Sequence, residues 1–419
     1  MTIWQRLKPF RTRLLLLLSV LGPGIITTNV DNDAGGITTY SVAGAHYGYG
    51  LLWVLPFAAL MLIFAQEMCA RLGIVTGKGL ADLIREKMGV RWTTAIIGLM
   101  LFVNLANTVS EFAGVAASME IFGVSKYISV PLAAVGVWLL IVKGNYKSVE
   151  RVFLVASAFY LAYVVSCILA RPPWLVVAQA AIHPSFTLEA GYVIMIVTII
   201  GTTIAPWQQF YQQSAIVDKG LRVKDYGYEL ADVLIGNVYA MLVVFFVIVA
   251  CGATLFVHGV YIETAKDAAL ALAPLAGPYA ATLFALGLLN ASLFAAAVLP
   301  LTTAYVTCEA FGWESGVSHD FKDAPIFFGV YTALIVIGAG IILLPLRSLI
   351  EAMLASQTLN GVVLPVIMVT MLRLINDKRL MGKYVNGRIY NLLSWAAVVV
   401  LIVLTIILVI TSVVPGLQG

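Results

Sequence analysis

Apolar residues along this chain come in runs too long for a soluble fold. In order, they resolve into about eleven stretches of membrane length, near 14–45, 47–70, 93–122, 127–143, 149–170, 190–216, 230–257, 271–307, 325–346, 348–372 and 389–414. A helix needs about 20 apolar residues to cross the hydrocarbon. The stretch 271–307 exceeds that and is expected to tilt strongly or to run past the bilayer. Two stretches carry polar and helix-breaking residues that an uninterrupted membrane helix avoids. The first holds Gly22-Pro23-Gly24 and then Thr27-Thr28-Asn29-Val30-Asp31-Asn32-Asp33-Ala34-Gly35-Gly36. The sixth holds Gly201-Thr202-Thr203-Ile204-Ala205-Pro206 and then Trp207-Gln208-Gln209.

Lipid tolerates broken helices only where the freed backbone faces protein or water. A pair of such breaks half a chain apart is the sequence mark of a transporter's substrate site. The first break carries carboxylates, which predicts a cationic substrate. Composition agrees: 61% of 419 residues are hydrophobic and 11% charged, against about 25% charged in a soluble domain. With a mean hydropathy of +0.97, the expected class is an all-α polytopic membrane protein. We read residues 1–419 as one transmembrane domain without a soluble domain or a removed signal peptide.

Charge sets the expected orientation. With the N-terminus cytoplasmic, 21 of the 25 basic residues fall on that side, leaving Lys126, Arg171, Lys266 and Arg347 outside. That obeys the positive-inside rule and places the C-terminus outside, in a plasma (inner) membrane. The net charge of +4 follows from this bias and suggests no nucleic-acid partner; the bilayer is the expected surround, and no obligate protein partner is evident. Cys69, Cys167, Cys251 and Cys308 lack metal-type spacing and read as buried free thiols. No nucleotide loop, nucleophile–base pair or histidine cluster points to an enzyme, and no cofactor is expected.

At the two breaks, and in Ala70-Arg71-Leu72-Gly73-Ile74-Val75-Thr76-Gly77-Lys78 after the second stretch, the chain resembles the natural resistance-associated macrophage protein (Nramp) family of divalent-metal transporters. The resemblance implies two inverted five-helix repeats of LeuT-like type, about 12–172 and 188–373, an extra helix at about 389–414, and an ion bound midway across the bilayer. It also implies that Asp33 ligates the ion, because the family's first break reads Asp-Pro-Gly-Asn and ligates through its Asp and Asn. Here those positions are Asp33, Ala34, Gly35 and Gly36, so the amide is lost. The family's Met-Pro-His of the sixth helix becomes Ala205-Pro206-Trp207, and a second His becomes Gln212. The Asp of the family's proton route aligns with Thr108, whereas Glu111 keeps the neighbouring carboxylate. Thr202 aligns with an Ala whose carbonyl binds the ion.

These departures predict a change of substrate. A thioether favours soft or borderline metals, and Ala205 removes it; Gly36 removes a second close ligand. One carboxylate with carbonyls, hydroxyls and amides in a roomier site suits Mg²⁺, which keeps several waters. Mn²⁺ is expected to share the site. Trp207, Gln212 and Thr108 do not titrate near neutral pH, so uptake is expected to run on membrane potential without protons. The ligand set we expect is Asp33, Thr202, Ala205, Gly36, the carbonyl of Val30, and Asn29. Asp31, Gln208, Gln209, Gln357 and Asn360 are direct or water-mediated alternatives, with Asp31 expected behind Asp33. Asn104 and Asn107 read either as site groups or as interhelical hydrogen-bond partners. Glu67 is expected to form a helix-surface ion pair with Arg71. A proton-coupled Mn²⁺/Fe²⁺ transporter is the alternative reading. An organic-substrate symporter of the same fold is disfavoured by the acidic first break.

Overall fold

The computed structural model describes residues 30–143, 160–317 and 319–413, helices joined by turns and irregular loops, with no strand among the described residues. The principal helices are α1 (Ala34–Tyr47), α2 (Val54–Thr76), α3 (Leu80–Met88), α4 (Val90–Ile121) and α5 (Lys126–Val142). They continue as α6 (Leu161–Ala170), α7 (Trp174–Ile182), α8 (Ala190–Thr203), α9 (Pro206–Asp218) and α10 (Tyr226–Thr254). The remainder are α11 (Ala280–Phe311), α12 (Pro325–Leu343), α13 (Leu349–Ile375) and α14 (Arg388–Val413). Among the described residues, eight spans are long and apolar enough to cross a membrane, counting α8 and α9 as one. The shorter α5, together with α1 and α6 beside undescribed segments, occupies the three other predicted positions.

Two expected spans differ in detail. The stretch 271–307 is not one tilted helix. Short turns through Gly277 and Pro278 precede α11, which starts at Ala280. After α6, Arg171 adopts φ 50° and Pro172-Pro173 follow, so α7 leaves at 120°. Proline cannot continue a helix, and the residue before it is pushed out of the α region.

Close helix crossings position the centre. A Cβ on Gly201 would lie 2.2 Å from the Gly361 amide nitrogen and 2.4 Å from the Gln357 carbonyl oxygen. One on Gly361 would lie 2.4 Å from the Val197 carbonyl oxygen. Only glycines let α8 and α13 touch backbone to backbone, and this contact brings Gln357 beside the first break. Similarly, a Cβ on Gly114 would meet the Ala34 Cβ at 2.4 Å. Gly114 and Glu111 share a face of α4, so the approach that glycine allows delivers the Glu111 carboxylate to the start of α1.

The Glu67–Arg71 pair forms, with Arg71 Nε 2.9 Å from Glu67 Oε1, but Glu67 is buried and Arg71 half-buried rather than on an open helix surface. Glu67 accepts from Tyr226 Oη at 2.5 Å and from Tyr390 Oη at 2.6 Å. Arg71 donates to the Tyr384 carbonyl at 2.9 Å. The pair therefore ties α2 to α10 and α14. A buried charge needs such partners to offset its desolvation. All four cysteines are free and buried.

Candidate metal centre between two broken helices

Helix α1 begins at Ala34 because Asp33, extended at φ −71° and ψ −176°, caps it: the Gly36 amide donates to Asp33 Oδ1 at 2.6 Å. The Ala34 amide donates to Glu111 Oε2 at 3.2 Å. A helix N-terminus exposes unpaired N–H groups and a partial positive charge, so two carboxylates gather there. Asp33 and Glu111 are close neighbours there. The cap uses one lone-pair direction on Asp33, and a carboxylate offers about four.

At the second break, Ile204 closes α8 by donating to the Ile200 carbonyl at 2.9 Å. Ala205 is extended, and Pro206 starts α9. Proline fits this first helical position, but it has no N–H to return to the Thr202 carbonyl. A main-chain oxygen is thereby freed at the break. The Thr202 hydroxyl, beside the Tyr40 phenol, is buried and closes no hydrogen bond among the described residues.

The two breaks meet beside Gly36. The point where its Cβ would sit lies 2.6 Å from the Asp31 carbonyl oxygen, 3.3 Å from Asp33 Oδ1 and 3.4 Å from Thr202 Oγ1. Three oxygens from both broken helices thus converge on a space that only glycine leaves open. Around it, Gln357 Nε2 lies 3.4 Å from Asp33 Oδ1, and Gln357 Oε1 accepts from Asn360 Nδ2 at 2.8 Å. Asn360 and Asn107 exchange two amide hydrogen bonds of 3.0 Å each. Asn104 donates to Thr303 Oγ1 at 2.8 Å. These asparagines lock α4 to α13 and α11, and Gln357 is the member that touches Asp33.

The other sequence candidates fall around this core. The Gln208 amide donates to Asp31 Oδ1, while the Asp31 carbonyl is the oxygen that lies beside Gly36. Gln208 Oε1 is buried without a partner among the described residues. Gln209, in the orientation its neighbours satisfy, donates back to the Ala205 and Pro206 carbonyls at 2.8 and 2.9 Å. Ala205 and Val30 are buried at the two breaks. Asn29 lies outside the described residues, as does the Gly22-Pro23-Gly24 opening. Thr108 turns its hydroxyl to the Asn104 carbonyl of its own helix at 2.7 Å and packs on Gly338 of α12. Trp207 is fully buried, and the Gln212 amide faces the Glu229 carboxyl. Among the described residues, no group of three or more His, Cys, Asp or Glu stands ready to hold a metal. An ion here would be completed by hydroxyl, amide and carbonyl oxygens.

Sequence reasoning missed three phenolic and hydroxyl supports. Tyr40 Oη pairs with Thr203 Oγ1 at 3.0 Å, and Tyr160 Oη donates to the Asn32 carbonyl at 2.6 Å. A tyrosine in an apolar helix carries no periodic signal that tells which backbone oxygen it serves.

Breaks at residues 31–33 and 204–205 that face each other, inside a bundle of membrane-length helices, mark a membrane transporter of LeuT-like architecture. Residues 24–411 match the family model described as natural resistance-associated macrophage protein-like, and the chain belongs to that family. It is similar to the divalent metal cation transporter MntH of Bacillus subtilis, 26% identical over 422 residues that cover 94% of this chain and 93% of that protein. MntH of Deinococcus radiodurans is 28% identical over 414 residues, covering 93% and 88%. Among solved structures, the Eremococcus coleocola manganese transporter bound to an aromatic bis-isothiourea compound superposes with a TM-score of 0.78 at 22% identity, over 93% of this chain and 86% of that one. A nucleobase-cation-symport-1 transporter in a closed conformation superposes at 0.54 with 14% identity, over 94% of each chain. These two structural likenesses concern the fold.

Proposed function

We propose that this protein carries divalent cations across the membrane, with Mg²⁺ as main cargo, Mn²⁺ as a competitor, and the membrane potential as driving force. The observation that carries this reading is the all-oxygen convergence beside Gly36, with an alanine at 205 where a sulfur ligand would stand. Asp33 supplies the negative charge; the Asp31 and Thr202 carbonyls and the Thr202 hydroxyl supply neutral oxygens. Mg²⁺ takes oxygen ligands, gives up water reluctantly and is commonly held by one or two carboxylates. Such a site holds the ion with part of its water shell and offers nothing to a soft metal. The MntH relatives and the manganese transporter support a divalent cargo in general.

The driving force follows from charge. Moving one charge through 100 mV is worth about 2.3 kcal/mol, so a divalent ion gains about 4.6 kcal/mol. That sustains an accumulation ratio on the order of 10³ without a second ion. Trp207, Gln212 and Thr108 offer no group that exchanges protons near neutral pH, and Thr108 is hydrogen-bonded to its own backbone. The basic-residue bias supports entry toward a cytoplasmic N-terminus. One observation favours the second reading, a proton-coupled Mn²⁺/Fe²⁺ transporter: Glu111 reaches the same helix start as Asp33. Uptake of Mg²⁺ into proteoliposomes, with Mn²⁺ added as competitor, tests the proposal. Mg²⁺ influx reduced by Mn²⁺ supports it; Mn²⁺ influx without Mg²⁺ influx rejects it in favour of the second reading.

A further inference from the structure

A groove of about 660 Å³ runs between α3, the start of α4, α13 and α14, lined by none of the residues of the two breaks. Its mouth is polar and aromatic: Lys87, Trp92, Arg373 and Asp377. Its floor is apolar: Pro365, Val366, Val369 and Ile402. From Arg373 back along α13 to Pro365 the rise is about 12 Å. The hydrocarbon core is about 30 Å thick, so the groove reaches from one interface most of the way to the bilayer centre. Trp92 is 59% exposed at the mouth, where tryptophan marks the headgroup level. Val366 and Ile402 are 41% and 37% exposed on the floor, as surfaces that face lipid are.

The charges at the mouth do not cancel. Lys87 Nζ stands 3.5 Å from Asp377 Oδ2, and Asp377 Oδ1 accepts from the Arg379 amide at 2.8 Å. Asp377 is therefore occupied by groups other than Arg373. The Arg373 side chain is exposed and makes no hydrogen bond or ion pair among the described residues. The mouth thus carries one unbalanced positive charge, on a guanidinium whose planar fork matches phosphate oxygens.

We propose that this groove is a binding site for an anionic phospholipid of the adjoining leaflet, the cytoplasmic one on the orientation proposed above. Its phosphodiester pairs with Arg373 and its acyl chain lies on the Pro365–Val369 face against Ile402. Net charge distinguishes the occupant. A lipid with one net negative charge balances Arg373, whereas a zwitterionic lipid brings its own ammonium to a mouth already holding Lys87. Basic pockets between membrane helices select anionic headgroups in this way.

The test is the melting temperature of the full-length protein in neutral detergent, titrated with phosphatidylglycerol, phosphatidylcholine or glycerol 3-phosphate. Phosphatidylglycerol is expected to raise it saturably, and the other two to leave it unchanged. Arg373→Gln, at an exposed position, is expected to raise the half-saturating lipid concentration roughly fivefold. Val369→Trp, which fills the floor without touching the charge, should abolish the response. Equal phosphatidylglycerol titrations for the unmodified protein and Arg373→Gln would overturn the proposal. So would a response to phosphatidylcholine as large as to phosphatidylglycerol, and so would glycerol 3-phosphate acting as well as the lipid, which would mark a simple anion site.

Discussion

The sharpest consequence of the site geometry concerns Gly36, and the perturbation is a single methyl group. Gly36 lies within α1, so alanine fits its backbone and even gains up to about 1 kcal/mol of helix propensity. The methyl, however, would stand 2.6 Å from the Asp31 carbonyl oxygen, with Asp33 Oδ1 at 3.3 Å and Thr202 Oγ1 at 3.4 Å. An ordinary carbon–oxygen contact is longer than 3.3 Å, so the Asp31 carbonyl must retreat by roughly 0.8 Å while the methyl fills the convergence. Overpacking of this kind costs about 1–3 kcal/mol, equivalent to roughly 5-fold to 150-fold in an equilibrium constant. The strain is present with or without the ion, so Gly36→Ala should lower the melting temperature, less what the helix propensity returns; because the methyl also fills the place where the ion would bind, it should raise the KM for Mg²⁺ by a factor on the order of that range. Gly35→Ala probes the neighbouring wall: its methyl would press on the Gln357 side-chain amide at 2.0 Å, which touches Asp33 and is held by Asn360, so a rise in KM is expected there too, although the convergence itself stays open. The assay is initial-rate Mg²⁺ uptake into proteoliposomes over a range of concentrations. A Gly36→Ala protein with unchanged KM would refute the placement of the ion beside Gly36.

Other outcomes follow from the same geometry. Asp33→Ala should abolish uptake while the protein still purifies as a folded species, and near-normal uptake would remove Asp33 from the site. Pro206→Ala restores an N–H to the Thr202 carbonyl and should partly heal the second break, slowing uptake several-fold; an unchanged rate would show that this carbonyl is not used. Ala205→Met adds a soft ligand and should make Mn²⁺ a stronger competitor against Mg²⁺, measured as a lower inhibitory Mn²⁺ concentration. Glu67→Gln leaves the half-buried Arg71 without its carboxylate and should destabilise the protein by up to about 3 kcal/mol, read as a clear drop in melting temperature; no drop would mean that solvent screens the pair.

The same crowding revises what the family resemblance suggested for position 36. An asparagine there meets the Asp31 carbonyl at its first side-chain carbon, so restoring the family's amide requires the first break itself to move. The sequence could not show this, because the clash lies between a side-chain carbon in the first turn of α1 and a backbone oxygen of the non-helical residues before it. What was legible were features with a one-dimensional signature: long apolar runs, the two Gly/Pro breaks, and the carboxylates at 31, 33 and 111. Partner choice was not legible. Gln208 and Gln209 are adjacent and alike, yet one reaches Asp31 and the other folds back on Ala205 and Pro206. Consecutive helical residues point about 100° apart, and only the packing of α9 against α2 and α11 decides which faces inward. Glu67 shows the same limit: its i+4 spacing to Arg71 predicted the ion pair, but burial came from Tyr226 and Tyr390, which are distant in sequence. Helix α7 and the turns before α11 were missed because hydropathy reports apolarity and not direction, and Pro172-Pro173 and Pro278 change the direction.

The central claim is that an oxygen-lined site at two facing breaks moves Mg²⁺ on voltage alone. The most direct test records Mg²⁺ entry and internal pH together in proteoliposomes carrying a potassium diffusion potential, negative inside. The account predicts Mg²⁺ entry that grows with the potential while a trapped pH dye stays silent. Acidification in step with metal entry, or Mn²⁺ entry with no Mg²⁺ entry at any potential, would contradict it.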